Sequence, residues 1–434
     1  MKKDLSPSRI RTALYSAIDK VAANLEICVK NPEKDFSRQR KLSLRTMLLM
    51  LIGIGGGSLT KELYDWFGFS QNTATASAFV QQRDKIRHEA LEMIFKDFVA
   101  TTTPNSTYQG YRLFAVDGSD LRLPSNPSDE FSLIRNSDGQ KQYNLVHLNA
   151  MYDLINKVYV DASLQGKKGM NEHKALVSMV DRSDISGKVL VLMDRGYESF
   201  NNIAHFQEKH WNFIIRAKDS FGIISGLRLP DSPEFDEEVT LTLTRKQTKE
   251  TLPLLNSRPD RYRWIQPHTT FDYIERKQSN MYDLHFRAVR FLISDGKYET
   301  VYTNLHKDAF PMESIKKLYN LRWGIETSFR ELKYIIGLAC LHSKKKDSLL
   351  QEVFSRLILY NYTSLVARKV SVPEEKQVNF SVAMLICRQF LKKNISPQEM
   401  LELLQKHTSP IRPGRKFKRY QNLISAVAFQ YRFS

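Results

Sequence analysis

The chain has 434 residues, 42% of them hydrophobic and 26% charged, the balance of a globular protein with room for two to four domains. Lys and Arg outnumber Asp and Glu by 65 to 47, and the resulting net charge of +18 points to a polyanionic partner, most often nucleic acid. Three scattered cysteines, Cys28, Cys340 and Cys387, exclude a disulfide framework and a zinc cluster, and the ten histidines show no metal-ligand spacing. The most apolar run, TMLLMLIGIGGG (Thr46–Gly57), is too short to span a bilayer, and the opening MKKDLSPSRIRTAL lacks the apolar core of a signal peptide. A reducing cytoplasm is therefore expected, with no membrane partner.

In chain order, residues 1–105 read as a helical module. Within it, Ser58–Ile86 has a helix–turn–helix rhythm: Ser58 as cap, a turn at Gly68-Phe69-Ser70, and a second helix from Gln71. That helix would present Gln71, Asn72, Thr73, Thr75 and Ser77 to DNA. Residues 106–218 are strand-rich, with a buried strand running into Asp117 in YRLFAVDGSDLRL and two strands around a turn near Asn156. A helix over Met170–Arg182 comes next, then a strand ending at Asp194 in KVLVLMDRGY, a helix, and a last strand through IIRAK. That order builds a mixed sheet with a parallel centre and helices on its faces. Residues 219–297 read as a β-rich insertion, with alternation in EVTLTLTRKQ and HFRAVRFLIS and the acidic cluster Asp231–Glu238 taken as loop. Residues 298–370 return to the core, and 371–434 read as a helical region closing on the basic run RPGRKFKRY (Arg412–Tyr420).

Asp117 and Asp194 each follow an apolar run and would sit at the end of a buried strand, where a lone carboxylate is costly and where αβ sheets build their sites. A third acid lies in YNLRWGIETSFRELK (residues 319–333), read as one helix. At about 100° per residue, Tyr319, Arg322, Glu326, Arg330 and Lys333 share one stripe, apart from an apolar face of Leu318, Leu321, Ile325, Phe329, Leu332 and Ile336. If that helix packs beside the strand ends, three carboxylates meet. At about 4 Å and an effective dielectric near 20, each like-charge pair costs roughly 4 kcal/mol, so the cluster calls for a cation. All-oxygen ligands select Mg²⁺ or Mn²⁺, and two such ions suit in-line displacement at a phosphodiester, with the neighbouring Arg and Lys gripping phosphates. Asp120, three residues past Asp117, should face the opposite side of the sheet. Trp323 reads as core packing, Asp153 and Asp161 as surface positions, and His147 and His173 as structural residues without a nameable partner.

The spacing Tyr319-x2-Arg322-x3-Glu326-x6-Lys333 resembles the YREK signature of the DDE transposases of the insertion-sequence-four family. VDGSD at Asp117 and MDRGY at Asp194 resemble the segments carrying that family's aspartates, and the long insertion before the glutamate matches as well. The resemblance covers most of residues 110–345 and, weakly, the basic C-terminal tail. It implies an RNase H-like core interrupted by a β-insertion. It further implies an enzyme of the bacterial nucleoid that cleaves transposon-end inverted repeats and joins 3′-hydroxyls to target DNA, as a homodimer in the synaptic complex. Asp117, Asp194 and Glu326 would be the Mg²⁺ ligands, with Mn²⁺ able to substitute. Tyr319, Arg322, Lys333, Arg330 and Arg216 would contact DNA. Some relatives form a hairpin at the excised end and stack a flipped base on an insertion-domain Trp; here the corresponding residue is Tyr298, and the insertion's Trp is Trp264. Two rivals remain on the residues alone: a metal-dependent nuclease without strand transfer, and a DNA-binding protein with a dead core.

Overall fold

Ten strands form one mixed sheet, and its parallel centre carries the site. The computed structural model describes residues 5–411, apart from 39, 136–141, 219–221, 276–279, 295 and 342. The basic run Arg412–Tyr420 lies outside the described residues. The first six strands are β1 (Arg112–Leu123), β2 (Leu133–Ile134), β3 (Tyr143–Asp153), β4 (Val158–Gly166), β5 (Val189–Met193) and β6 (Asn212–Arg216). The sheet continues through β7 (Phe235–Thr244), β8 (Tyr262–Trp264), β9 (Met281–Ser294) and β10 (Lys297–Thr303). Their spatial order is β2-β3-β1-β5-β6-β10-β9-β7-β8, with β4 also on β3. β1 runs parallel to β5 and β5 to β6, while β3 and β10 flank that centre antiparallel. The RNase H-like class expected from the sequence is thus present. The predicted insertion supplies β7 to β9 and extends this same sheet.

β5 is buried at all five positions, as a strand covered on both faces must be. One face of the sheet meets α7 (Glu172–Asp181) and α8 (Phe200–Glu208). The other meets α10 (Met312–Asn320), α11 (Trp323–Arg330) and α12 (Lys346–Ala367). A short α9 (Thr251–Ser257) lies beside β8 in the insertion. The N-terminal helices are α1 (Pro7–Ala22), α2 (Leu25–Cys28), α3 (Leu44–Gly53), α4 (Leu59–Phe67), α5 (Ala76–Arg83) and α6 (Glu89–Thr102), numbered with the rest in chain order. α1, α3 and α6 pack on α12, which is buried without a break from Leu349 to Val366, as expected of a helix enclosed on every side. Several of its polar residues are paired across that junction. Arg83 pairs with Glu352 at 2.9 Å, Gln351 donates to the Ile86 carbonyl at 2.7 Å, and Arg356 donates to the carbonyls of Ile54 and Gly55. After α12 come β11 (Lys376–Val378), α13 (Phe380–Leu391), α14 (Pro397–Lys406) and β12 (Thr408–Pro410), with β11 and β12 paired antiparallel, so the C-terminal region is not purely helical.

Three expectations change. The second helix of the helix–turn–helix segment starts at Ala76, not Gln71. Ser70 and Thr73 bond locally within a turn, and Thr75 caps α5 through the Ala78 N–H, so Gln71, Asn72 and Thr73 lie before the helix. Gly68 does close α4, in the left-handed conformation that glycine adopts without steric cost. Half of the acidic cluster is strand: Phe235–Glu238 belong to β7, where Asp236 pairs with Arg287. Asp153 is fully buried, held by Arg112 at 3.0 Å and accepting the Asn156 N–H at 2.7 Å, while Asp161 pairs with Arg182 at 2.6 Å. No helix among the described residues is long and apolar enough to cross a membrane.

Candidate active site

Strand register brings the two aspartates together. Val116 of β1 pairs with Met193 of β5, which pairs with Ile215 of β6. The next row is therefore Asp117, Asp194 and Arg216, on strands about 4.8 Å apart. Asp117 shares its face with Ala115, the face covered by the later helices, and α11 lies against β1 there. Each aspartate is oriented by a backbone donor: Asp117 Oδ1 accepts the Gly118 N–H and Asp194 Oδ1 the Gly196 N–H, both at 2.8 Å.

α11 brings Glu326. Its Ile325 and Phe329 are buried, Ser328 meets the Tyr159 hydroxyl at 2.8 Å, and Gly324 lets the helix approach, since a methyl there would stand 2.7 Å from Leu154 Cδ2. The segment 319–333 is not one regular helix. α10 ends at Asn320, the bonds across Leu321 to Ile325 run i to i+3, and residues Glu331–Ile335 form a π-turn closed by Ile336 N–H to the Glu331 carbonyl at 3.0 Å. The extra residue of a π-turn rotates the later side chains about the helix axis. Lys333 lands over β1, where its Nζ donates to the Asp120 carbonyl at 2.8 Å.

Asp117 senses the other two acids. Burial raises the Asp117 carboxyl to about 6; the Gly118 N–H and Arg322 oppose that shift, and the charges of Asp194 and Glu326 add to it. Glu326 is held by Arg322, Nη2 to Oε1 3.0 Å, in the i,i+4 pair visible in the sequence. Among the described residues, the only trio of such side chains with ligand atoms all within 4.8 Å is His88, Glu89 and Asp347. Asp117, Asp194 and Glu326 are thus more widely spread. Even so, three carboxylate side chains on one face, one of them with its carboxyl raised chiefly by burial, form an all-oxygen donor set that suits a hard divalent cation.

Around them, Arg322 is buried, with its guanidinium 4.8 Å from the Trp323 ring and 5.7 Å from that of Tyr319. Burial raises the Tyr319 phenol, and Arg322, Glu299, Arg216 and Asp194 all act on it. Its buried hydroxyl has no hydrogen-bond partner among the described residues. Arg216 faces the site but pairs with Glu299 at 2.9 Å, and Arg330 is exposed. Tyr298 is not brought into this group. Alternation along β10 puts Glu299 and Val301 on the site face and Tyr298 on the other, where the Arg290 guanidinium lies 5.4 Å from its ring. Trp323 is 47% exposed rather than core. Asp120 does face away, as expected, and meets His147 at 2.7 Å; His147 lies 2.9 Å from Glu172, and His173 meets Asn202 at 2.8 Å. Glu198, which no pattern in the sequence singled out, is buried and accepts the N–H groups of Lys218 and Ile223 at 2.6 Å each, fixing the entry to the insertion. Its place in MDRGYE, one residue beyond the motif, was the available signal.

A mixed sheet of this order, with acids at adjacent central strand ends and a third on a covering helix, is an arrangement able to hold a divalent cation. Residues 108–362 match the transposase DDE domain family, so the chain belongs to it. It is 22% identical over 429 residues to the transposase InsG for insertion sequence element IS4 of Escherichia coli (strain K12), covering 88% of this chain and 86% of that one. It is also 24% identical over 214 residues to a probable transposase for insertion sequence element IS5377 of Geobacillus stearothermophilus, covering 49% and 47%. The fold is similar to that of piggyBac transposase, solved as a synaptic complex with hairpin DNA, at a TM-score of 0.51 and 12% identity over 98% of this chain and 89% of that one. The protein is a DDE transposase of IS4 type, an enzyme of DNA transposition that uses a divalent cation.

Proposed function

We propose that the protein cleaves DNA at the ends of its element and joins the freed 3′-hydroxyls to target DNA, with Asp117, Asp194 and Glu326 as ligands of Mg²⁺. The observation that carries this reading is the shared row of Asp117 and Asp194, with Glu326 facing it from α11. When bound, the cations supply charge neutralisation at the phosphodiester and activation of the attacking hydroxyl. In cleavage, a water oxygen bonds to phosphorus as the bond to the 3′ oxygen breaks; one water proton ends on the departing oxygen, giving a 3′-hydroxyl, and the other passes to solvent from the 5′-phosphate. In joining, that 3′ oxygen bonds to a target phosphorus as the target's own bond to its 3′ oxygen breaks; the attacking hydroxyl loses a proton and the departing 3′ oxygen gains one, so one P–O bond forms for each one broken.

The side chains divide this work. Asp117 and Asp194 present their carboxylates from a rigid sheet, each fixed by one N–H. Glu326 joins them as Arg322 transfers its guanidinium from the glutamate to DNA phosphate, a bidentate-capable partner. Tyr319, Arg216, Arg330 and Lys333 line the strand's path. Tyr298, on the opposite face, has no part in this grouping. Two ends must be cut together, so the working form is a homodimer.

The direct test is strand transfer. Purified protein is mixed with pre-cleaved ends from the gene's own flanks, a supercoiled target and Mg²⁺. Joined product supports the reading, whereas metal-dependent cutting without joining replaces it with a nuclease. Labelled flank DNA run on a denaturing gel reads the excision route, because a hairpin end migrates as a strand of double length. Lys333→Ala should weaken end binding at every sequence and lower the slope of log affinity against log salt by about 1, measured by fluorescence anisotropy.

A further inference from the structure

We infer that Glu172, pinned by His147, is a positioning residue that sets the spacing between Asp117 and Asp194. The inference rests on reading those two aspartates as ligands of the catalytic cation. Each aspartate is oriented by the N–H of a glycine, Gly118 or Gly196. One carboxylate packs against both. A methyl built on Gly118 would stand 2.7 Å from Glu172 Oε1 and 2.2 Å from His147 Nε2. A methyl built on Gly196 would stand 3.6 Å from Glu172 Oε2 and 3.0 Å from Asp194 Oδ1. Glycine at 118 is what lets His147 and Glu172, arriving from the far face of the sheet, come up under the first donor, while the other carboxylate oxygen of Glu172 stands at van der Waals range of the second, Gly196.

Glu172 is itself fixed. It opens α7, whose N-cap Asn171 accepts the Lys174 N–H at 2.9 Å. His147 on β3 is 5% exposed and stands between Asp120 Oδ1 at 2.7 Å and Glu172 Oε1 at 2.9 Å. The chain of contacts therefore runs from β1 through Asp120 and His147 to Glu172, and from there to the turn after β5. Tyr197 in that turn has a buried hydroxyl with no hydrogen-bond partner among the described residues, and the charges of Glu172, Asp117 and Asp194 all act on it. The strands alone fix where Asp117 and Asp194 start. The loop after β5 lies beyond the last ladder bond; Asn202 ties it to α8 through the Tyr197 carbonyl at 2.7 Å, and Glu172 packs between it and β1.

A brace that merely ties α7 to the sheet would affect stability and leave metal affinity alone, so the test reads the metal. Mn²⁺ alone is titrated into the full-length protein, with bound ion followed by electron paramagnetic resonance, for wild type, Glu172→Gln, His147→Phe and Asp117→Asn. The Mn²⁺ dependence of end cleavage and the affinity for end DNA are measured in parallel. Glu172→Gln keeps the shape and should weaken Mn²⁺ binding roughly 10–100-fold, the range for residues that orient metal ligands. The Mn²⁺ needed for half-maximal cleavage should rise by the same factor, with end-DNA affinity unchanged. His147→Phe should behave likewise, and if it does not fold, Glu172→Gln decides. Wild-type Mn²⁺ affinity in Glu172→Gln alongside its loss in Asp117→Asn overturns the inference and leaves the cation reading standing. Wild-type affinity in Asp117→Asn removes the cation reading and this inference with it.

Discussion

Glu326→Gln should lose strand cleavage and joining by at least about 10²-fold, the upper end of what disturbing even the outer partners of a metal site costs, while keeping its fold and its hold on end DNA. The side chain is more than a third exposed and its amide analogue can still accept the bond from Arg322, so the native state loses little. What disappears is the charge. Asp117 is pushed up to about 6 chiefly by burial, and the charges of Asp194 and Glu326 add to the rise, an excess of negative charge at this carboxyl that a cation would offset. With Glu326 neutral, that excess falls and a divalent cation is held less well. Thermal melting, end-DNA binding and strand transfer on wild type and variant side by side make the comparison. Transfer at the wild-type rate would remove Glu326 from the chemistry.

Arg287→Met should lower stability by about 3–5 kcal/mol, the cost of leaving a buried charge without its partner. Calorimetry would read this as a thermal midpoint lower by roughly 10 °C. Arg287 on β9 is 1% exposed and meets Asp236 on β7 through two bonds of 3.0 and 2.7 Å. It also donates to the carbonyls of Leu305 and Phe310, at 2.6 and 3.2 Å. Those carbonyls lie in the segment that leads from β10 into α10, and so toward Glu326. The variant should therefore lose activity at temperatures where it remains largely folded. A second substitution, Asp236→Leu, should restore much of the stability, since a pair of apolar residues leaves no charge exposed to the interior.

Periodicity and composition revealed the acids but not their surroundings. Asp117 and Asp194 stood out because each closes an apolar run. Their adjacency depends on the parallel register Val116 to Met193, which a pattern of alternating burial does not encode. The i,i+4 pair of Arg322 and Glu326 was readable from helical spacing, yet the position of Lys333 depends on a π-turn with no Pro or Gly to announce it. His147 and Asp153 depart from expectation for a common reason: their partners Glu172 and Arg112 are distant in sequence and arrive through tertiary packing. Trp323 departs from it because an aromatic residue beside an apolar stripe gives no sign of which edge is open. The β-rich nature of the insertion was plain from alternation, whereas its fusion to β6 through β10 was not.

That fusion limits how this enzyme can be rearranged. A module joined by two flexible linkers can be transplanted, trimmed or exchanged between relatives with its host left whole. Here β10 bonds to β6 on one side and β9 on the other, so the stretch between them is woven into the plate that carries Arg216 and, two strands away, Asp117. Cutting out residues 219–297 would strip β10 of its partner β9 and bare a backbone edge next to β6. Recombining such enzymes at the insertion boundaries should therefore give insoluble protein unless the graft brings its own β9 to pair with the β10 that stays behind.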